Sequence, residues 1–383
     1  METLKINYLT YGTGRTGGTR VLMNFANELD KMGHEVSFTT LAYNNWFHLP
    51  QDVKIISKRT KFDFARFLLH EKAYNVGLVS ESSYLSATIK ILNALYDISE
   101  KSDVDIATVA PTAYVASWGI NSGSTPFYHM QHFETINYQS NLLKKFVLDT
   151  YYLPIYKVAN SSWLSSKLKD LTGKDFPIIN PAIEHDIFYP RNEQYERNEN
   201  EINIVCLGKG GWKNALGVYE AVCKVRKKVK EKRVILHLFG PKPTPNIPFD
   251  GIETIFHLNL SDEELAKLYS RSDIQITFSQ AESFPLPSLE AMACGCTVIT
   301  TPFGVEDYAK DYENALLIEV NNVNMLVSKL LELIEDEKLR EKLRKEGLNT
   351  ASKFQYEIQA KLLMDNIKIA QNEYSSFKKY KFL

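Results

Sequence analysis

No apolar run in these 383 residues is long enough to span a bilayer as a helix. The opening Met1-Glu-Thr-Leu-Lys-Ile-Asn-Tyr8 lacks the basic-then-apolar layout of a secretory signal. A cytoplasmic protein is expected, with at most peripheral contact to the inner face of a membrane. Net charge is nearly absent as well. Against 45 Lys and Arg stand 46 Asp and Glu, a balance of −1 that gives no bulk field to gather nucleic acid or anionic lipid. Cysteine is scarce: Cys206, Cys223, Cys294 and Cys296 all fall in the C-terminal half, within apparent core elements. Cys294-Gly-Cys296 lacks the further ligands of a zinc site, so buried free thiols are expected. No Asp-x-Asp cluster falls in a plausible metal-binding loop, and neither repeats nor low-complexity segments occur.

What is present is ordinary for a globular chain, with 44% hydrophobic and 24% charged residues. Its length favours two domains over one core. Short apolar runs alternate with amphipathic stretches, the pattern of a doubly wound α/β domain. Strands are expected at 5–10, 34–40, 53–56, 105–110 and 126–130, then at 158–160 and 177–180. Helices are expected at 19–32, ended by Gly33, and at 142–153, stopped by Pro154. The polar run Arg191–Glu201 reads as a linker. A second α/β unit follows, with strands at 202–208, 234–240, 273–278 and 297–300. Ser261 caps a helix at 262–271, and the stretch 322–377 is helical in pattern. The expected architecture is two Rossmann-like domains, 1–188 and 200–355, facing a central cleft. A tail, 356–383, crosses back to the first domain on apolar positions Ile358, Leu362, Leu363, Ile367 and Ile369.

Three loops carry candidate chemistry. In Glu282-Ser-Phe-Pro-Leu-Pro-Ser-Leu-Glu290, two carboxylates stand eight positions apart around a helix start. Pro287 suits a first helical position, which puts Glu290 in the first turn and Glu282 on the loop before it. A helix N-terminus attracts phosphate, and flanking acids can hold sugar hydroxyls. By spacing alone, a loop acid and a first-turn Glu that complements the helix dipole is the favoured reading. Gly12-Thr-Gly-Arg-Thr-Gly-Gly18 follows the first strand; it is either a phosphate- or sugar-approach loop or a tight strand–helix turn. Gly208-Lys-Gly-Gly-Trp-Lys213 follows the first strand of the second unit. Lysines there suit a diphosphate, or are simply solvated. A lysine on such a loop is expected to carry only about 0.5 kcal/mol of stability.

The segment Glu282–Thr300 resembles the Glu-x7-Glu signature of family 4 retaining glycosyltransferases, which have the GT-B fold. The family usually has glycines where this chain has Ser283 and Pro285. The resemblance extends over most of the C-terminal half. It implies transfer of a sugar from a UDP-, GDP- or dTDP-sugar, with no metal or other cofactor, to a saccharide or lipid-linked acceptor in cell-surface polysaccharide or glycoconjugate synthesis. It places the donor on Gly17, Gly18, Lys209, Lys213, Phe284, Pro285, Leu286, Glu290, Phe303 and Gly304. Glu290 would hold the ribose, Glu282 the sugar hydroxyls, and Lys213 the diphosphate. Lys209 stands where the family has Arg. His129-Met-Gln-His-Phe-Glu134 supplies a cleft residue, Gln131 or His132, which together with Arg20 would serve the acceptor. Catalytic roles fall to Glu282, His132 and Lys213. The run Tyr128–Glu134 is similar to a form found in the bacterial rhamnosyltransferase-like branch. Alternatives are a GT-B phosphorylase or epimerase, or a non-catalytic partner of another transferase. The basic runs Arg226–Arg233 and Phe377–Leu383 would touch a membrane or form solvated surface.

Overall fold

Several apolar runs form strands that are buried end to end, among them β4, β5, β10 and β11 as numbered below. β10 below, Ile-Gln-Ile-Thr, is inaccessible at every position, as expected where helices cover both faces of a parallel sheet. A computed structural model describes residues 2–57, 61–191, 198, 200–243, 247 and 251–380. These residues form two compact units, Met1–Asn180 with Tyr356–Leu383, and Pro181–Gln355.

The first unit runs β1 (Lys5–Gly12), α1 (Gly17–Lys31), β2 (Glu35–Ala42), β3 (Lys54–Ile56), α2 (Lys61–Asn75), α3 (Glu81–Ile98), β4 (Val104–Ala107), α4 (Thr112–Trp118), β5 (Thr125–Met130), α5 (Asn141–Tyr152), β6 (Tyr156–Ala159) and α6 (Ser162–Thr172). Its parallel sheet has the order β3-β2-β1-β4-β5-β6. The second unit runs β7 (Glu201–Leu207), α7 (Ala215–Lys228), β8 (Arg233–Gly240), β9 (Glu253–Leu258), α8 (Asp262–Arg271), β10 (Ile274–Thr277), α9 (Leu286–Ala293), β11 (Thr297–Thr300), β12 (Leu316–Leu317), α10 (Val323–Glu335) and α11 (Glu337–Ala351). Its order is β12-β11-β10-β7-β8-β9. Both are doubly wound, and each has one place where the strand order reverses: between β1 and β4, and between β7 and β10. Ligands of such sheets bind at the strands' carboxyl ends at that reversal. Ser261 starts α8 with a full capping box to Glu264.

Several expectations need correction. The chain changes unit at Asn180–Pro181, not at 188–200. The backbone N–H of Ile183 donates to the Phe354 carbonyl at 3.1 Å. Arg191 is buried, donates to Glu263 at 2.6 Å and lies 4.1 Å from the Tyr189 ring centroid. Thus residues 181–191 are held by the second unit. The rest of the expected linker, 192–197 and 199, lies outside the described residues. Residues 177–180 make a single bridge, Ala159 to Ile178, instead of a strand. The Gly-rich loop yields to helix two residues early: α1 starts at Gly17, capped by the Thr16 hydroxyl.

The last helix, α12 (Tyr356–Tyr380), packs on α1 and β5 of the first unit. Leu363 and Ile367 are fully buried, with Met364 and Ala370 beside them, but Ile358, Leu362 and Ile369 are about half exposed. The buried stripe includes small and sulfur-bearing residues that a pattern of large aliphatics overlooks. Tyr156 donates to Asn366 at 2.9 Å, and the Asn180 N–H donates to Gln359 at 3.0 Å. Among the described residues no helix is long and apolar enough to cross a membrane. None of the four cysteines is in a disulfide; Cys223 is half-buried and the others are buried. The basic residues Arg226–Lys228 are exposed at the end of α7, and Arg233 is paired with Glu201 and Glu253. The end of the tail, 381–383, lies outside the described residues, as do the side chains of 376–380.

His129 on β5 gives this unit an acid sensitivity. Its ring is fully buried, edge-on to Phe25 at 5.2 Å, and neither nitrogen has a hydrogen-bond partner of good geometry. Burial pushes its pKa from 6.5 down to about 4, offset only in part by the nearby Ile179 backbone. The unfolded chain therefore binds a proton, between those two values, that the folded chain does not. Stability present above pH 6.5 is lost as pH falls toward 4, by up to about 3 kcal/mol from this group. Unfolding free energies measured at pH 7 and pH 4.5 should differ less in His129→Leu than in the parent. The buried His237, also pushed down to about 4, keeps a remainder in both. Equal differences would refute the assignment.

Candidate functional site

In the second unit, the loops after β7 and β10 meet at the strand-order reversal. The β7 loop turns on Gly211 and Asn214, both with positive φ, 64° and 55°. Asparagine tolerates this region better than most residues. The Asn214 side chain then accepts the Gly217 N–H and caps α7. The β10 loop is tied to it by the Gln280 N–H donating to the Trp212 carbonyl at 2.8 Å. Asn321, also at positive φ, accepts from both Asn214 and Gln280, at 3.3 and 3.2 Å.

These ties bring Lys213 onto Glu282. The lysine ammonium donates to the glutamate carboxylate, with only 16% and 10% of the two side chains exposed. The ammonium also lies 4.1 Å from the Trp212 ring centroid. Burial lowers the Lys213 pKa; Glu282 opposes that shift and Lys209 adds to it. A pocket lined by Lys213, Glu282, Phe278, Ser279, Pro285 and Pro287 opens here. Lys209 is exposed beside it.

Helix α9 points its start at this pocket. Pro285 is its N-cap and Pro287 its second residue, so Glu290 falls in the second turn, not the first. Glu290 is 2% exposed. The ring of Phe284 packs on Tyr308 and Phe354, at 5.2 and 6.0 Å, and Leu286 is buried. These two residues can therefore offer a ligand backbone more readily than side chain. Gly304 has φ +71°, and a Cβ there would lie 2.5 Å from the Ser283 carbonyl carbon and 2.7 Å from the Glu282 oxygen. The loop after β11 is thus pressed directly against the Glu282 loop. Phe303 is half-buried beside it. The Thr301 hydroxyl donates to the Ser279 carbonyl at 2.8 Å, which pins the same two loops.

In the first unit, Gly17 and Gly18 are the first two residues of α1, exposed, with backbone N–H groups at a helix start. Arg20 is half-buried one turn on. After β5, the carbonyl of Gln131 accepts from Asn160 at 2.8 Å, while its side-chain amide nitrogen is buried without a partner. His132 stacks on Trp163 at 6.4 Å and 23°. Both side chains remain candidates for a ligand. Sequence reasoning assigned no role to Trp212, Asn214, Gln280 or Asn321. An asparagine closing a Gly-rich loop was the one available signal.

The sequence profile of the family described as glycosyl transferases group 1 matches residues 191–350. The chain is 26% identical over 207 residues to the MMP alpha-(1->4)-mannosyltransferase of Mycolicibacterium hassiacum, covering 52% of this chain and 50% of that protein. It spans about half or less of the length of the curated relatives it matches. Among solved structures, sucrose-phosphate synthase from Thermosynechococcus elongatus superposes with a TM-score of 0.75 at 15% identity, covering 97% of this chain and 99% of that one. HepE of Anabaena, solved with UDP and glucose, superposes with a TM-score of 0.71 at 14% identity, covering 95% and 99%. At such identities the likeness shows the fold, which is GT-B.

Proposed function

We propose that this chain is a glycosyltransferase that moves a sugar from a nucleotide-sugar donor to a saccharide or lipid-linked acceptor with retention of anomeric configuration, using no metal or other cofactor. The match of residues 191–350 to the group 1 family supports the reaction class. The observation that carries the site is the Lys213–Glu282 pair, set where the strand order reverses and before the start of α9.

A donor diphosphate gains charge as the sugar bond breaks. Lys213 and Lys209 supply fixed positive charge there, and the start of α9 adds its partial charge. Glu282 currently satisfies Lys213. With a donor bound, the diphosphate takes over the lysine and Glu282 holds sugar hydroxyls. Glu290 holds the ribose, and the backbone at Gly304 lines the donor. The acceptor hydroxyl attacks from the face the phosphate leaves, and the phosphate itself takes the proton. No dedicated base is needed.

The test is donor binding and turnover by the whole chain. At least one of the UDP-, GDP- or dTDP-sugars should raise the melting temperature, since a ligand at a hundred times Kd adds roughly 2.7 kcal/mol. Absence of any shift would overturn the donor assignment. Turnover should survive exhaustive EDTA treatment. Activity lost to EDTA and restored by Mg²⁺ or Mn²⁺ would overturn the metal-free mechanism. The anomeric proton signal of the product reports retention directly.

A further inference from the structure

Leu286, the first residue of α9, stands between two prolines. Pro285, the N-cap, and Pro287, the second helical residue, have no N–H. The Ser288 N–H donates to the Pro285 carbonyl at 3.2 Å. Of the first three helical positions, Leu286 alone has an N–H to spare, and no group among the described residues takes it. The loop is held from outside instead. Tyr308, on the loop after β11, is 3% exposed, and its hydroxyl donates to the Pro285 carbonyl at 3.0 Å. Its ring lies 5.2 Å from that of Phe284 and 6.1 Å from that of Phe354.

Tyr308 is anchored in turn. The Ser288 hydroxyl lies within hydrogen-bond reach of it and donates to the Thr277 hydroxyl, at the end of β10, at 2.9 Å. The Gln275 side chain donates to the same Thr277 oxygen at 3.0 Å. The Tyr308 carbonyl accepts from Asn314 at 2.7 Å. Gln275, Thr277, Ser288, Tyr308 and Asn314 are all buried. Such bonds resist rearrangement, because a group that lets go is left unpaired away from water.

Peptide geometry decides what the Tyr308 hydroxyl controls. The Pro285 carbonyl and the Leu286 N–H are the two ends of one planar trans peptide and point in opposite directions. Holding the oxygen toward Tyr308 therefore turns the N–H away from it. This peptide stands at the pocket wall, since Thr277, Pro285 and Pro287 line the pocket together with Lys213 and Glu282. Without the tyrosine hydroxyl, the carbonyl keeps the longer bond from Ser288 and the peptide is freer to tilt.

Resting on the glycosyltransferase reading, we propose that Tyr308 is a positioning residue for donor binding: it holds the Pro285–Leu286 peptide so that the Leu286 N–H meets the donor diphosphate without rearrangement.

The test uses the full chain with UDP-, GDP- and dTDP-sugars, taking dissociation constants by calorimetry for the one the parent binds most tightly. Tyr308→Phe keeps the ring and loses the hydroxyl. It should weaken that nucleotide sugar about fivefold, as loss of one hydrogen bond does, and should speed amide exchange across 283–289 with no ligand present. Ile299→Val is the control. It removes one carbon from a fully buried side chain of β11, in the core of the second unit. It should lower Tm by a similar amount and leave both affinity and loop exchange at the parent's values. A Tyr308→Phe variant that binds like the parent, or whose loop exchanges like the parent's, would overturn the proposal. So would an equal loss of affinity in Ile299→Val, which would mark the effect as one of stability alone. A parent that binds no nucleotide sugar would overturn the donor reading, and this role with it.

Discussion

Lys213→Ala should lower kcat by on the order of 10²–10³, because a fixed positive charge that meets the departing diphosphate acts most strongly in the transition state. It should also destabilise the chain, contrary to what a loop lysine leads one to expect. Glu282 is 7% exposed, and its carboxylate would be left buried without its cation. Breaking a buried pair in this way costs several kcal/mol; with the residual exposure here, about 2–3 kcal/mol is expected. In a unit the size of Pro181–Gln355, melting on its own, that is a fall of roughly 5–10 °C in Tm. Two effects are thus mixed in one mutant, and a second mutant separates them. Adding Glu282→Gln should recover much of the Tm and none of the rate. Lys213→Arg should recover part of the rate, since the charge returns in a larger, forked group. A Lys213→Ala enzyme with near-normal kcat would place the diphosphate in another loop. An unchanged Tm would mean that Glu282 finds other partners.

Gly304→Ala should be the most damaging methyl group that can be added to this chain near the site. Two costs combine. The residue has φ +71°, and the new Cβ would stand 2.5 Å from both the carbon and the oxygen of the Ser283 carbonyl. These are backbone atoms and cannot rotate away. The left-handed conformation costs a residue with a Cβ roughly 1–2 kcal/mol, and overpacking typically adds 1–3 kcal/mol. The expected loss is about 3 kcal/mol or more in Tm-derived stability. Relief can come only by moving the Glu282 loop, so turnover should fall as well. Gly173 is the control. It has the same φ of +71° with no atom within 4 Å of a Cβ. Gly173→Ala therefore reads the conformational cost alone, and the difference between the two variants measures the contact. If both variants melt together, the loop after β11 is not pressed against Glu282 in solution.

The strands of both sheets were legible where they are short and apolar throughout. β9 and β12 were not, for distinct reasons. β9 is an edge strand with partly exposed positions, and β12 is only two residues long. The face of α12 was misread because Ala360, Met364 and Ala370 fill its buried stripe, while large aliphatics such as Leu362 and Ile369 remain in water. A residue's hydrophobicity does not say which side of a helix meets a neighbour when small residues allow close approach. Glu290 was placed one residue early, at the end of the first turn, because Pro287 was taken as the first helical residue. The helix instead starts at Leu286, after a Pro285 cap.

The sequence by itself determined the local units: strand–loop–helix modules, their caps, the glycines at turning points, and the Glu282 and Lys213 loops as places for charge. It did so because these depend on residues a few positions apart. Tertiary structure alone decided which loops face each other. Lys213 and Glu282 are 69 positions apart, and Glu134 and Ala110 are 24 apart. The first pair follows β7 and β10, non-consecutive strands that lie side by side where the sheet's winding reverses; the second follows β4 and β5, consecutive strands that are neighbours in their sheet. Burial there, which no neighbouring residue in the chain can report, draws the Lys213 pKa down and pushes the Glu134 carboxyl up.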